Sequence, residues 1–203
     1  MRKGTRRGCA RVMSVFLLLL VLPACTVTSR NPLSDPAEAT PDRNLFGQWK
    51  FANAEKGTVH LFVGLPSDMQ AKERPAGFMV VHLLSINVNM QIDADREPAF
   101  FFVTRIGKDT FLNIDEPRDQ TKPREYWILK YVVDGDTLTF WPLSVAAAEA
   151  IVKEGYLQGQ VTKGLANRVV LTDTSKKLQD FIRDKGNKTL FSENEKIVFQ
   201  RVK

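Results

Sequence analysis

The side chains best suited to metal binding or proton transfer in this chain are its two histidines, His60 and His82. Both stand between aliphatic residues, in TVHLFV and VVHLLS, and no acidic residue stands beside either one. A metal site needs three or four ligands, and two histidines alone do not supply them. We therefore predict that each histidine occupies an ordinary strand position and makes one hydrogen bond. The chain also holds no Gly-x-Ser-x-Gly turn, no HExxH and no glycine-rich phosphate loop. We therefore predict no catalytic residue, no metal site and no cofactor.

Two loops rich in acidic residues could ligate Ca²⁺ or provide a carboxylate pair. The first contains Asp93, Asp95 and Glu97, and the second contains Asp115, Glu116 and Asp119. Because Arg96, Arg118 and Lys122 are interleaved with these acids, we predict solvated surface loops of mixed sign instead.

The positive charge of the chain is concentrated at its start. The 203 residues carry 29 Lys and Arg against 23 Asp and Glu, a net charge of +6, with 43% hydrophobic and 26% charged residues. That composition is ordinary for a globular protein and excludes disordered and collagen-like chains. Residues 1–24 contain five basic residues and no acidic one, which leaves a net charge of +1 for 25–203. We therefore predict no nucleic-acid partner.

Residues 1–24 have the three parts of a secretory signal peptide. After the basic start, residues 12–22 (VMSVFLLLLVL) are apolar except for Ser14, and the small residue Ala24 follows. Eleven residues with a rise of ~1.5 Å each are far shorter than the ~30 Å hydrocarbon core of a bilayer. We therefore predict a signal peptide and not a spanning helix.

The end of this signal, residues 22–25 (LPAC), resembles the lipobox of bacterial lipoproteins. The resemblance implies cleavage between Ala24 and Cys25, a diacylglyceryl group on the Cys25 thiol, and an acyl chain such as palmitate on the new amino terminus. Thr26 stands where Asp often marks retention at the inner membrane, which implies the outer membrane, facing the periplasm. Several acyl chains on one residue form a stable anchor. Cys9 leaves with the signal, so the mature chain would contain neither a free thiol nor a disulfide.

The mature chain divides into a lipidated tether, 25–44, and a single β-rich domain, 45–203. Residues 26–44 are rich in Ser, Thr, Pro and Asp, have no apolar period, and contain three prolines that oppose helix formation. The ~160 residues that follow are enough for one hydrophobic core.

Short apolar runs dense in β-branched and aromatic residues continue to the end of the chain. They predict strands at 47–51, 58–65, 78–90, 99–106, 110–114, 126–133, 137–141, 167–171 and 196–202. Asp134-Gly135 predicts a type I′ hairpin turn, since Gly accepts positive φ without strain. Helical spacing predicts helices at 144–154 and 174–185. The fold class is therefore mainly β, an antiparallel barrel or strongly curved sheet with two short helices.

Residues 47–49 (Gly-Gln-Trp), within DRNLFGQW, resemble the first-strand motif of lipocalin and calycin-like barrels. In that family the tryptophan closes one end of the barrel beneath a basic residue from the last strand. Arg201, in VFQRV, stands where that partner is expected, and a cation over an indole ring contributes about 0.5–2 kcal/mol. The resemblance therefore implies a structural motif of Gly47, Trp49 and Arg201. A helix at 144–154 departs from the family, which has hairpins there.

Three functions are open from the sequence. The first is a non-enzymatic, membrane-anchored envelope lipoprotein that binds an envelope protein, peptidoglycan or another envelope component. The second is a calycin-like carrier of a small apolar ligand, which requires a barrel lumen of ~300 Å³ or more. The third is an envelope enzyme with an unrecognised site, which requires His60 or His82 within hydrogen-bond reach of an acid. The sequence favours the first function, because residues 22–25 indicate a lipid anchor and the sequence contains no recognisable group of catalytic residues.

Cys25→Ala is expected to abolish fatty-acid labelling of the protein and to leave a soluble or uncleaved form, because the acyl chains lose their attachment residue. Metabolic labelling with a radioactive fatty acid, followed by membrane fractionation, measures both effects. Continued labelling of the Cys25→Ala protein would contradict the predicted anchor.

Overall fold

The computed structural model of the protein describes residues 26–55, 57–67, 74–94, 97–115, 123–164 and 167–203. The predicted signal peptide, its cleavage site at Ala24 and the lipid site at Cys25 lie outside the described residues. Asp95, Glu116 and Asp119 of the two acidic loops lie outside them as well.

The described residues form twelve strands and a few short helices. The strands are β1 Thr26–Ser29, β2 Gly47–Asn53, β3 Gly57–Gly64, β4 Met79–Ile86, β5 Ile92–Ala94, β6 Ala99–Ile106, β7 Asp109–Asp115, β8 Tyr126–Asp134, β9 Thr137–Pro142, β10 Gly159–Thr162, β11 Arg168–Leu171 and β12 Ile197–Arg201. The α-helices are α1 Val145–Lys153, α2 Ser175–Phe181 and α3 Asn187–Leu190. Among the helices of the described ranges, none is long and apolar enough to cross a bilayer.

Eight of these strands close into an antiparallel barrel, which confirms the predicted fold class. The ring follows the chain as β2, β3, β4, β6, β7, β8, β9 and β12, and β12 returns to pair with β2. Arg201 of the last strand lies opposite Trp49 of the first. Such closure leaves no free edge in the ring.

The barrel strands bury their inner faces through a two-residue period. On β3, Val59 and Leu61 point inward and are buried, whereas Phe62 points outward and is exposed. The β6 segment, AFFFVTRI, lacks this alternation because both of its faces are covered. Its inner residues Phe101 and Val103 belong to the barrel core, and Ile106 belongs to a second core outside the barrel.

The second core lies between the outer barrel wall, the helices and a three-stranded flap. The flap consists of β1, β11 and β10, with β1 parallel to β11 and joined to the barrel by the pair Ser29 and Tyr126. The buried carboxylate of Glu125 ties the flap to the barrel, since it accepts hydrogen bonds from Thr28 and, over 2.6 Å, from Arg168.

Residues 26–44 differ from the extended tether that their composition predicts. Val27 and Leu33 are buried in the second core, and the Leu33 amide donates to Asn113 Oδ1 over 2.6 Å. The Ser34 and Thr104 hydroxyls share a hydrogen bond of 2.5 Å. The prolines oppose an α-helix here, and the segment forms only short 3₁₀ turns at Pro36–Glu38 and Arg43–Leu45, but they do not prevent it from packing across the outer wall of the barrel.

Two local predictions need correction. The strand predicted at 78–90 ends at Ile86, because the Asn87 side-chain oxygen accepts the backbone N–H groups of Asn89 and Gln91 and closes a turn. In the β8–β9 hairpin the turn residues are Gly135 and Asp136, and only Gly135 has positive φ, which is the pattern of a type II′ turn and not of type I′.

The second predicted helix also differs, since the chain stays helical beyond 185. A π-helical segment, Ile182–Gly186, joins α2 to α3 without a break. Gly186 is buried against the Phe181 ring instead of ending the helix. The α1 boundaries agree with the predicted helix at 144–154, and Ser144 occupies the N-cap position.

Candidate functional site

One end of the barrel is closed by the chain that leads into β2. A short 3₁₀ turn, Arg43–Leu45, crosses this end, and Asp42 before it accepts the Asn44 N–H over 3.1 Å. Asp42 Oδ2 also accepts the Tyr131 hydroxyl over 2.7 Å. Burial and this hydrogen bond raise the pKa of Tyr131 far above its usual value, so the hydroxyl stays a donor.

The three residues of the predicted structural motif, Gly47, Trp49 and Arg201, meet at this closed end. The indole N–H of Trp49 donates to the Leu45 carbonyl over 2.8 Å, and the side chain is fully buried. Arg201 Cζ lies 4.0 Å from the centroid of the Trp49 ring. Its Nη1 donates to the Phe46 carbonyl over 2.7 Å, so the cation covers the tryptophan and fastens the incoming chain at the same time.

A cavity lies inside the barrel above this closed end. All fifteen residues that line it are apolar or aromatic, and they include Leu61, Leu83, Phe101 and Phe199. At the end opposite Gly47 and Arg201, the lining is formed by Trp127, Pro142 and Ile197, which are partly exposed. We call this end the mouth of the barrel.

The cavity is small because aromatic side chains fill most of the lumen. Its volume is about 70 Å³, whereas a cavity needs about 10–15 Å³ to hold one water molecule. Phe199 alone packs against Phe51 and Phe140, each at 5.7 Å between ring centroids. The lumen therefore falls short of the ~300 Å³ required by the carrier hypothesis and accommodates roughly five to seven atoms.

The two histidines lie on the outer surface of the barrel, away from the cavity. His60 Nδ1 is 2.8 Å from Gln48 Nε2, and its ring stacks on Phe62. Partial burial, together with the charge of Lys50, lowers the pKa of His60. His82 is exposed on the neighbouring strand, opposite Phe62. In the described ranges neither histidine contacts a carboxylate, so the geometry that the enzyme hypothesis requires is not formed there.

The described acidic residues of the two predicted loops are either exposed or paired with cations. Asp115, the last residue of β7, forms ion pairs with Arg74 at 2.9 Å and Arg124 at 3.3 Å, and its side chain is only 12% exposed, so it is less solvated than the surface loop that the sequence predicts. Asp93 and Glu97 are exposed. Within the part of the chain that the structure describes, no group of three or more His, Cys, Asp and Glu residues is arranged to hold a metal ion.

Two features of the site were not predicted from the sequence. The hydrogen bond between Asp42 and Tyr131 joins residues 89 positions apart, and no local pattern pairs them. The size of the cavity depends on how side chains from all eight strands fill the lumen. By contrast, Trp49 and Arg201 stand in a recognisable motif.

No family model matches this chain, and neither a curated protein nor a solved structure matches it. The site is therefore interpreted from its own geometry.

Gly47→Ala is expected to destabilise the closed end of the barrel. Gly47 has φ +116°, a conformation that side chains rarely adopt, and an added Cβ would lie 3.2 Å from Arg201 Nη1. The expected loss in the free energy of unfolding is about 1–3 kcal/mol, measured by urea denaturation. Gly64→Ala is the matched control, because no atom lies within 4 Å of its added Cβ. Equal stability of the two variants would contradict the tight closure.

Proposed function

We propose that this chain is a non-enzymatic, lipid-anchored protein of a bacterial cell envelope whose barrel binds a small apolar group. The observation that carries the proposal is the cavity, which is lined only by apolar and aromatic side chains and lies beneath a mouth at one end of the barrel. The lipobox-like residues 22–25 support the anchor. The closed eight-stranded ring, with Trp49 beneath Arg201, supports kinship with calycin-like barrels.

The anchor would hold the domain directly at the membrane surface. Thr26, the residue after Cys25, already pairs with Arg168 in the flap, so no free linker separates the lipid from the folded domain. Thr26 in the position after the cysteine favours the outer membrane, with the domain in the periplasm. The near-neutral charge of 25–203 supports a lipid or apolar ligand over a nucleic acid.

The chemistry of the lining selects the ligand class. A polar group placed among these side chains would lose its hydrogen bonds to water without replacement, which is costly. Five to seven methylene groups transferred from water contribute about 4–6 kcal/mol, and the cost of association offsets much of this. A ligand of this size binds weakly when free in solution. The terminal segment of an acyl chain or a small ring fits this description, and a nearby bilayer supplies acyl chains at high local concentration.

The test uses 1-bromopentane, whose bromine quenches indole fluorescence on contact. Trp127 lines the cavity, whereas Trp141 packs in the second core outside the barrel. Titration of the wild-type protein is expected to give a saturable loss of tryptophan fluorescence. Trp127→Phe should remove the saturable phase, and the matched control Trp141→Phe should keep it.

An absence of saturable quenching in the wild-type protein would refute the apolar site. Saturable quenching that survives in Trp127→Phe but disappears in Trp141→Phe would place the ligand outside the barrel and refute the site as well.

A further inference from the structure

Three large apolar side chains are exposed in the hairpin turn that follows β4. Val88, Met90 and Ile92 are 55%, 78% and 68% exposed. They lie in residues 87–92, which comprise the turn between β4 and β5 together with the first residue of β5, and which we call the hairpin tip. Single exposed apolar residues need no explanation, but a cluster on a projecting turn indicates an interaction site.

Hydrogen bonds within the hairpin tip fix its backbone conformation. Asn87 Oδ1 accepts the backbone N–H groups of Asn89 and Gln91 over 2.9 and 3.0 Å. The backbone N–H of Asn87 donates to the backbone carbonyl of Gln91 over 3.0 Å. Met90 has φ +59° and is the non-glycine residue with positive φ among the described residues. The turn therefore holds a strained residue in place and keeps its large apolar side chain in the solvent.

The composition of the tip suits the boundary between lipid head groups and acyl chains. Residues 86–92, INVNMQI, contain no charged residue, and amides alternate with apolar side chains. Apolar side chains can enter the acyl region while amides remain hydrogen-bonded at the level of the head groups. A charged residue in this stretch would oppose insertion, and none is present.

The tip projects at the mouth end of the barrel. Strand β4 ends at Ile86, whose neighbour Thr58 lies at the start of β3, far from the Gly47 and Val63 pair at the closed end. Strand β1 also reaches this end, through its last residue, Ser29, which pairs with Tyr126, the first residue of β8; Thr26 lies three residues back along β1. The residue that would carry the lipid, Cys25, directly precedes β1.

We infer that the hairpin tip inserts Val88, Met90 and Ile92 into the surface of a lipid bilayer, so that the mouth of the barrel faces the membrane. The inference rests on the proposed function, since the anchor at Cys25 would hold the domain at a bilayer surface. The tip and the anchor then fix the domain at two points. An acyl chain end can enter the cavity from the bilayer without crossing water.

The experiment uses the full chain, expressed with its own signal and purified from membranes as the mature lipoprotein. Intact-mass measurement first determines whether Cys25 carries lipid. Because that lipid consumes the remaining thiol, Met90→Cys can be labelled alone with a nitrobenzoxadiazole fluorophore. Lys108→Cys is the matched control, since Lys108 lies in the exposed β6–β7 turn at the closed end. Val88→Cys provides a second tip position in case substitution at the strained Met90 prevents folding.

The labelled proteins are placed in vesicles of phosphatidylethanolamine and phosphatidylglycerol that contain a lipid with a nitroxide on its acyl chain. The tip label is expected at a depth of about 5–10 Å, with blue-shifted emission and several-fold stronger nitroxide quenching than the label at position 108. Adding Val88→Asn and Ile92→Asn to the Met90→Cys protein should reduce that quenching towards the value at position 108.

The outcomes separate the two proposals. Equal, weak quenching at positions 90 and 108 in a protein that carries lipid on Cys25 would refute the insertion and leave the anchor standing. A chain without lipid on Cys25 would refute the anchor. Strong quenching at position 90 in a Cys9→Ala, Cys25→Ala background, where Met90→Cys supplies the single thiol, would still support the insertion. Blue-shifted emission without nitroxide quenching would assign the tip to a protein contact and overturn the inference.

Discussion

The structure depends on the closure of the barrel between its last and first strands. Arg201 stacks on Trp49 and donates to the carbonyl groups of Phe46 and Asn44, so a single side chain joins the end of the ring to the segment that enters it. Without this junction β2 and β12 would present open edges, and the apolar lumen would lose one wall. The cavity, its mouth and the position of the hairpin tip all presuppose a closed ring.

A second constraint follows from the barrel strands that are apolar on both faces. Their outer faces need a cover, which the helices, the flap and residues 26–44 supply. Val27 and Leu33 pack into this layer, and Glu125 holds the flap through Thr28 and Arg168. The start of the described chain is thus part of the second core. An anchor at Cys25 would fix the orientation of the barrel as well as its distance from the membrane.

Local patterning predicted much of the fold, because alternating and β-branched runs define the barrel strands wherever one face is buried. The strands β1, β5 and β10 were missed, since each has only three or four residues, too few to show an alternating pattern. In addition, β1 exists only through its pairing with the distant β11 and β8. The proline-rich composition of 26–44 concealed the burial of Leu33 for the same reason. The predicted strand across 78–90 overran Ile86, because the side-chain hydrogen bonds of Asn87 stop it.

The candidate site could be predicted only in part. The motif of Gly47, Trp49 and Arg201 is visible in the sequence because a resemblance supplies the expected partners. The volume of the lumen is not visible, because it is a small difference between the space inside eight strands and the side chains that fill it. The bond between Asp42 and Tyr131 also depends on the closed barrel.

The proposed function requires a small, dry and accessible apolar space inside the barrel. Crystals of the mature protein pressurised with xenon test this directly, because dry apolar cavities take up xenon. We expect an anomalous xenon peak inside the barrel, in contact with Leu61, Leu83 and Phe101. A barrel interior without xenon at saturating pressure would contradict it.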